Sequence, residues 1–269
     1  MSKQIPFRYD FVGSFLRPAN LKAAREGFEN GKISAYELKA VEDKEIERLI
    51  NKQKELGYHV ITDGEFRRAT WHLDFMWGFD GVAHEKTKTG LPFHGEDAMI
   101  DDTYLCGKVG LSKVHPFVEH FKFVKQFEDE NTVAKQTIPA PAQFIEQMIM
   151  PFALENTSKY YDSTHKLAED IANGYKKVIA DLYDAGCRNL QLDDCSWGML
   201  VDPRAEELFG TDKKGLKNIQ ELLVEINNLA IEDKPNDMTI TTHDCRGNFN
   251  STYASTGAYD SVAEVLFEK

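Results

Sequence analysis

The chain has 269 residues, 42% of them apolar, and a formal net charge of −12. This length suits one (β/α) barrel domain with a sizeable core. So acidic a chain repels phosphate backbones, which argues against nucleic-acid binding, and it has no run of eighteen apolar residues to span a membrane.

The first ten residues carry charges and Pro6 but no apolar h-region, so no secretory signal is expected. Residues 9–12 read as a first strand. Ser34 and Glu37 form a capping box that opens a helix to about Leu56, closed by Gly57. Residues 58–62 read as a second strand. The stretch 82–102, rich in Gly, Lys, Asp and Thr, reads as a surface excursion. With segments 104–111 and 120–127 taken as an inserted hairpin, it forms an insertion over about 82–127. Residues 132–138 form a third strand.

A long helix is expected over 158–185, with Leu167, Ile171, Tyr175, Val178 and Leu182 on one face and Gly186 at its end. Strand 188–192 follows. The helix predicted over 216–231 carries Ile219, Leu222, Leu223, Ile226 and Leu229 in its stripe and leads to strand 238–242. Helix and strand alternate, which argues for parallel strands joined by crossover helices. Five strands are counted where a closed barrel has eight. The expectation is therefore a single α/β domain over 1–269, a parallel (β/α)8 barrel of the TIM type. It would be C-terminally incomplete, with the last three strands absent from this chain.

The polar residues gather just after the strands: Gly13-Ser14, Asp63-Gly64-Glu65, Pro139-Ala140-Pro141, Asp193-Asp194-Cys195 and His243-Asp244-Cys245. In a barrel, catalytic groups come from the C-terminal ends of several strands. His243 and Cys245 are two apart, so on extended backbone they project to one side, and both are good zinc ligands. The bland alternative is a buried cysteine beside a hydrogen-bonded histidine. Glu65 reads as an acceptor for a substrate ammonium, or as an N-terminal helix charge or the partner of Arg67 or Arg68. Asp193 reads as a second such acceptor or as a turn cap, and Ser14 as a carboxylate holder or part of a simple turn. Four cysteines, Cys106, Cys187, Cys195 and Cys245, in a chain of this length read as reduced and cytoplasmic. Cys106 and Cys187 read as small buried side chains.

Taken in order, Gly13-Ser14-Phe15, Asp63-Gly64-Glu65, Leu190-Gln191-Leu192-Asp193 and His243-Asp244-Cys245 resemble the catalytic domain of cobalamin-independent methionine synthase. The stretches Thr62-Asp63-Gly64-Glu65-Phe66-Arg67-Arg68 and Cys245-Arg246-Gly247-Asn248-Phe249 are similar to the short bacterial relatives that lack the duplicated N-terminal domain. The resemblance runs from about Phe7 to the end. It implies an S-methyltransferase of methionine biosynthesis. The resemblance further implies that zinc activates the thiol of homocysteine, which takes a methyl group from 5-methyltetrahydrofolate in polyglutamate form. It implies Ser14, Glu65 and Asp193 at the amino-acid moiety and His243 and Cys245 on zinc. The family's remaining ligands, a glutamate and a second cysteine, and its general acid would lie beyond Lys269. Glu264 and Glu268 are not their counterparts. Where the longer enzymes have Glu-Pro, this chain has Asp194-Cys195, which puts the pterin contacts in doubt. None of Trp71, Trp77 and Trp197 matches the folate-stacking tryptophan. Two alternatives stay open: a related barrel enzyme with another methyl donor or thiol, and a non-catalytic thiol- or metal-binding remnant.

Overall fold

The structure, a computed structural model, describes residues 9–87, 91–93 and 96–269, the pieces 91–93 and 96–98 as backbone alone. Helices α1 (Ala19–Glu29) and α2 (Ala35–Glu55) lead to the short strand β1 (Val60–Ile61). The capping box ahead of α2 is formed: Ser34 Oγ accepts the Glu37 amide, and the Glu37 carboxylate accepts the Ser34 amide at 2.8 Å. Two helix-end donors are thereby satisfied. Ile46 and Ile50, one turn apart on α2, are wholly buried. Near its end, the Gln53 side chain pairs with both backbone groups of Thr62, at 2.9 and 3.0 Å. A side chain thus continues the ladder where β1 stops.

The one-turn helix α3 (Leu73–Met76) precedes an antiparallel ribbon of β2 (Asp80–Glu85) and β5 (Asp102–Gly110). Between them β3 (Leu91–Phe93) pairs with β4 (Glu96–Ala98). Helix α4 (Pro116–Lys125) follows. The expected hairpin between 104–111 and 120–127 does not form. Phe117, Val118, Phe121 and Val124 are buried at spacings of three and four, a helical stripe, and β5 pairs with β2 instead. Residues 88–90 and 94–95 of the expected insertion lie outside the described residues. Phe75, Phe79, His115, Phe117, Phe144 and Tyr175 form one aromatic cluster that ties the ribbon and α4 to the rest of the core.

The remaining elements alternate as the sequence predicts. Strands β6 (Val133–Ala134) and β7 (Gln136–Pro139) precede helices α5 (Pro141–Ile149), α6 (Pro151–Thr157) and α7 (Thr164–Asp184). Strand β8 (Asn189–Asp193) leads to α8 (Ser196–Leu200), α9 (Ala205–Leu208) and α10 (Lys213–Ile231). Strand β9 (Thr239–His243) and α11 (Asp260–Glu268) complete the order. Helix α7 begins later than expected because Ser163, not Ser158, caps it; Ser158 closes α6.

The core pairings are parallel: β1 with β6, β7 with β8, and β8 with β9. Lys135 joins the first pair to the others, its amide donating to Ile61 O at 2.9 Å while Gln136 aligns with Leu190. Strand β8 is buried at every residue, and β9 is half-exposed along most of its length. Two further expectations are corrected. Residues 9–12 form no strand, because side chains and not a main-chain ladder hold them. Cys106 is exposed, although Cys187 is buried as expected. The described residues show an α/β fold with parallel core strands in short sheets. Among the described residues, no helix is long and apolar enough to cross a membrane.

Candidate active site at the strand ends

The parallel register sets Pro139 beside Asp193 and Asp193 beside His243, so three neighbouring strands finish level. Residues just beyond those ends share one rim. The segment before Ser14 is pulled onto it by two buried side chains. Gln191 Nε2 donates to Val12 O at 2.6 Å. Lys135 Nζ donates to Phe11 O, to Asp10 Oδ2 at 2.7 Å and to Gln191 Oε1 at 3.0 Å.

Glu65 is the best-tied residue on the rim. Its backbone is left-handed, φ 59, a conformation that costs a residue with a side chain about 1–2 kcal/mol. Three neighbouring groups hold it there. Asp63 Oδ1 accepts its amide at 2.8 Å, and Arg17 Nη2 and the Arg68 amide donate to its carbonyl at 2.8 and 3.0 Å. Ser14 Oγ donates to Glu65 Oε2, and Thr137 Oγ1 donates to Oε1 at 2.8 Å. Arg68 Nη1 lies 3.2 Å from Oε1. Gly13 permits this approach, since a Cβ there would sit 2.7 Å from Glu65 Oε1. Of the readings of Glu65, the structure shows the ion-pair partner of Arg68, and the carboxylate also faces Ser14.

Asp193 Oδ1 accepts Gln191 Nε2 at 2.6 Å. Burial, and then the charge of Glu65, push its carboxyl up to about 7, against the opposing pull of Gln191, Arg68 and His243. Glu65 and Asp193 thus feel one another across the rim. The neighbouring Cys245 thiol raises the His243 imidazole above its ordinary range, and the charge of Asp193 adds to this. The Cys245 thiol is lowered, first by a hydrogen bond with Cys195 and then by His243, with burial opposing both. Asp244, between them, is pushed up to about 6, chiefly by burial. Asp194 turns into the core, its Oδ2 accepting Trp197 Nε1 and Asn227 Nδ2, each at 2.8 Å. Two surface clefts, one at Val109–Leu111 and one at Asp202, Lys213 and Asp260, contain none of the five expected site residues.

The donor chemistry of His243 and Cys245 suits zinc: an imidazole and a thiol lowered toward thiolate, two residues apart at the end of one strand. Among the described residues, no group of three His, Cys, Asp or Glu side chains converges to hold an ion. Cys195 Sγ lies 3.0 Å from Cys245 Sγ, closer than the roughly 3.7 Å between two sulfurs on a tetrahedral zinc with bonds of about 2.3 Å. The pair thus fits part of a zinc set. Thr137, Gln191 and Lys135 were not anticipated at the site, whereas Arg68 was expected only as a partner of Glu65. A lysine inside the strand-like run 132–138 was an available signal, since a lysine is rarely fully buried unless paired.

A solved structure from Listeria monocytogenes, named for a vitamin-B12-independent methionine synthase, is 39% identical to this chain. It superposes with a TM-score of 0.74 over 97% of this chain and 69% of its own. The model of the cobalamin-independent synthase catalytic domain matches residues 9–89. The chain belongs to the cobalamin-independent methionine synthase family. Within this family, the uncharacterized protein YxjH of Bacillus subtilis is 39% identical over 99% of this chain and 68% of its own length. A 5-methyltetrahydropteroyltriglutamate–homocysteine methyltransferase of Corynebacterium glutamicum is 24% identical over 93% of this chain and 31% of its own. A B12-independent methionine synthase from a Shewanella species, solved with selenomethionine, shares the fold at a TM-score of 0.56 and 19% identity.

Proposed function

We propose that this chain performs a zinc-dependent methyl transfer in which the thiol of homocysteine takes a methyl group from 5-methyltetrahydrofolate polyglutamate and becomes methionine. The observation that carries the reading is the strand register that sets His243 directly beside Asp193, with Cys245 two residues further on. The methyltransferase name of the C. glutamicum relative supports it. We also read the parallel strands as an arc of a (β/α) barrel, which fits the contrast between buried β8 and half-exposed β9. The four free cysteines fit a reducing, cytoplasmic setting.

His243 and Cys245 would hold the zinc. When bound, it supplies the positive charge that favours the acceptor sulfur as a thiolate. The other residues act on the rest of the acceptor. Asp193 and Glu65 accept hydrogen bonds from its ammonium, and the arriving cation draws Asp193 to its charged form, the proton passing to solvent. Arg68 and Thr137 hold the Glu65 carboxylate in place, and the backbone amide of the exposed Ser14 meets the acceptor's carboxylate, its hydroxyl hydrogen being donated to Glu65. So oriented, the sulfur attacks the methyl carbon in line with the bond to the donor nitrogen, which leaves with its electron pair.

A second reading, a related thiol methyltransferase with another donor, is favoured by Asp194-Cys195. Asp194 is committed to Trp197 and Asn227 in the core, so its carboxylate is turned away from a donor in the site. Assays with mono- and triglutamyl methyltetrahydrofolate and with a methylated corrinoid separate the two. Methionine from the folates supports the first reading. Methionine from the corrinoid alone supports the second, and no product from any donor sinks both.

A further inference from the structure

We infer that Cys195 and Cys245 form an oxidisable dithiol that closes to a reversible disulfide across the rim of the site. The parallel register carries the argument. Asp193 and His243 are direct partners, and the Asp194 amide extends the ladder to His243 O at 2.9 Å. Two residues beyond each partner stand Cys195 and Cys245, so the strand pairing itself brings the sulfurs opposite one another. Their separation is 3.0 Å, and both are free. A disulfide bond is about 2.0 Å long, so closure asks for roughly 1 Å of movement.

A second feature holds the two turns together. Gly198, in the helix that Cys195 opens, lies against the Cys245 carbonyl; a Cβ there would come within 2.4 Å of that oxygen. Both cysteines are half-buried, open enough for a small oxidant. Cys106 is exposed and Cys187 is wholly buried, and neither is paired with another thiol.

The oxidant class is a hydroperoxide. One sulfur, Cys245 Sγ, attacks the terminal peroxide oxygen. The O–O bond breaks, an alcohol or water leaves, and Cys245 becomes a sulfenic acid. Cys195 Sγ then attacks the Cys245 sulfur, the S–O bond breaks, and hydroxide leaves with the Cys195 proton as water. Two thiols and one hydroperoxide give one disulfide, one alcohol and one water; the thiols are oxidised by two electrons and the peroxide is reduced by two. The disulfide withdraws Cys245 from any metal. That consequence rests on the methyl-transfer reading, whereas the cross-link stands on geometry alone.

The test is mass spectrometry of the whole 269-residue chain after exposure to a few equivalents of hydrogen peroxide. The expected result is a loss of about 2 Da, a tryptic peptide linking Cys195 to Cys245, and recovery with dithiothreitol. Cys195→Ser, with its circular dichroism unchanged, should lose the cross-link and instead gain about 16 or 32 Da at Cys245. Three wild-type results overturn the inference: oxygen addition without a cross-link, a link to Cys106 or Cys187, or no oxidation of either sulfur. A reduced chain that cross-links yet makes no methionine defeats the methyl-transfer reading and leaves the dithiol standing.

Discussion

Arg68 and Glu65 form an ion pair at 3.2 Å with only 1% and 3% of their side-chain surfaces exposed. Arg68 also lies over the Phe117 ring, 4.4 Å from its centroid, and donates to Thr137 O at 2.6 Å. One guanidinium therefore links the Glu65 turn, β7 and the aromatic cluster. Removing one partner of a buried pair strands the other's charge, at about 3–5 kcal/mol. Arg68→Met should lose roughly that much stability in urea, and Glu65→Gln in the Arg68→Met background should recover part of it. A loss under 1 kcal/mol would show that the pair does not hold the turn.

Asp193 supplies a pH dependence with a definite sign. Its carboxyl is pushed up to about 7, and in the proposed reaction it is the charged form that meets the substrate ammonium. Affinity for homocysteine should therefore be full above pH 8. It should fall as the pH drops through 7, approaching tenfold per unit on the acid side. Asp193→Asn should bind more weakly and flatten this part of the profile. Calorimetric titration between pH 5 and 8 measures it, and an unchanged slope in Asp193→Asn would remove Asp193 from amine binding.

Glu146 acts on stability. It is buried behind the rim, and burial pushes it from an ordinary 4.5 up to about 7, with the charge of Asp194 adding to the shift. An acid raised in the folded state holds its proton more tightly when folded. Stability is then fullest below the unfolded value and declines as pH rises from about 4.5 to 7, by roughly 3 kcal/mol in all. Glu146→Gln should raise the melting temperature at pH 8 relative to wild type and leave it nearly unchanged at pH 4. Equal melting temperatures at pH 8 would show that Glu146 meets its charge more comfortably than its burial implies.

Gly198→Ala should press a methyl group against the Cys245 carbonyl. Overpacking of this kind costs about 1–3 kcal/mol. The relief available is movement of the Cys245 turn, so peroxide cross-linking to Cys195 should slow while Cys106 alkylates as before. A cross-linking rate equal to wild type would show that the two turns are held by something other than this contact.

The order of strands and helices was legible because the helices carry their own punctuation. Ser34 with Glu37 begins one, and the stripe from Leu167 to Leu182 defines another. Strand-end residues were legible for the same reason, since each follows a short apolar run. Helix α4 was misread because its apolar residues fall in too short a run for periodicity to separate strand from helix. Residues 9–12 look like a strand but are held by Lys135 and Gln191, and such a side-chain anchor leaves no local pattern. The meeting of Cys195 with Cys245 depends on strand register, which sequence spacing alone does not supply.

In the proposed reaction Cys245, with His243, provides zinc-binding groups for thiol methylation. Zinc per chain by elemental analysis, paired with methionine formation, in wild type and in Cys245→Ser tests this. Reduced wild type should take up zinc in the presence of homocysteine. Cys245→Ser should show at least a tenfold drop in both zinc uptake and methionine formation, with the circular dichroism of the fold preserved. Equal zinc and equal methionine from the two proteins would contradict this role.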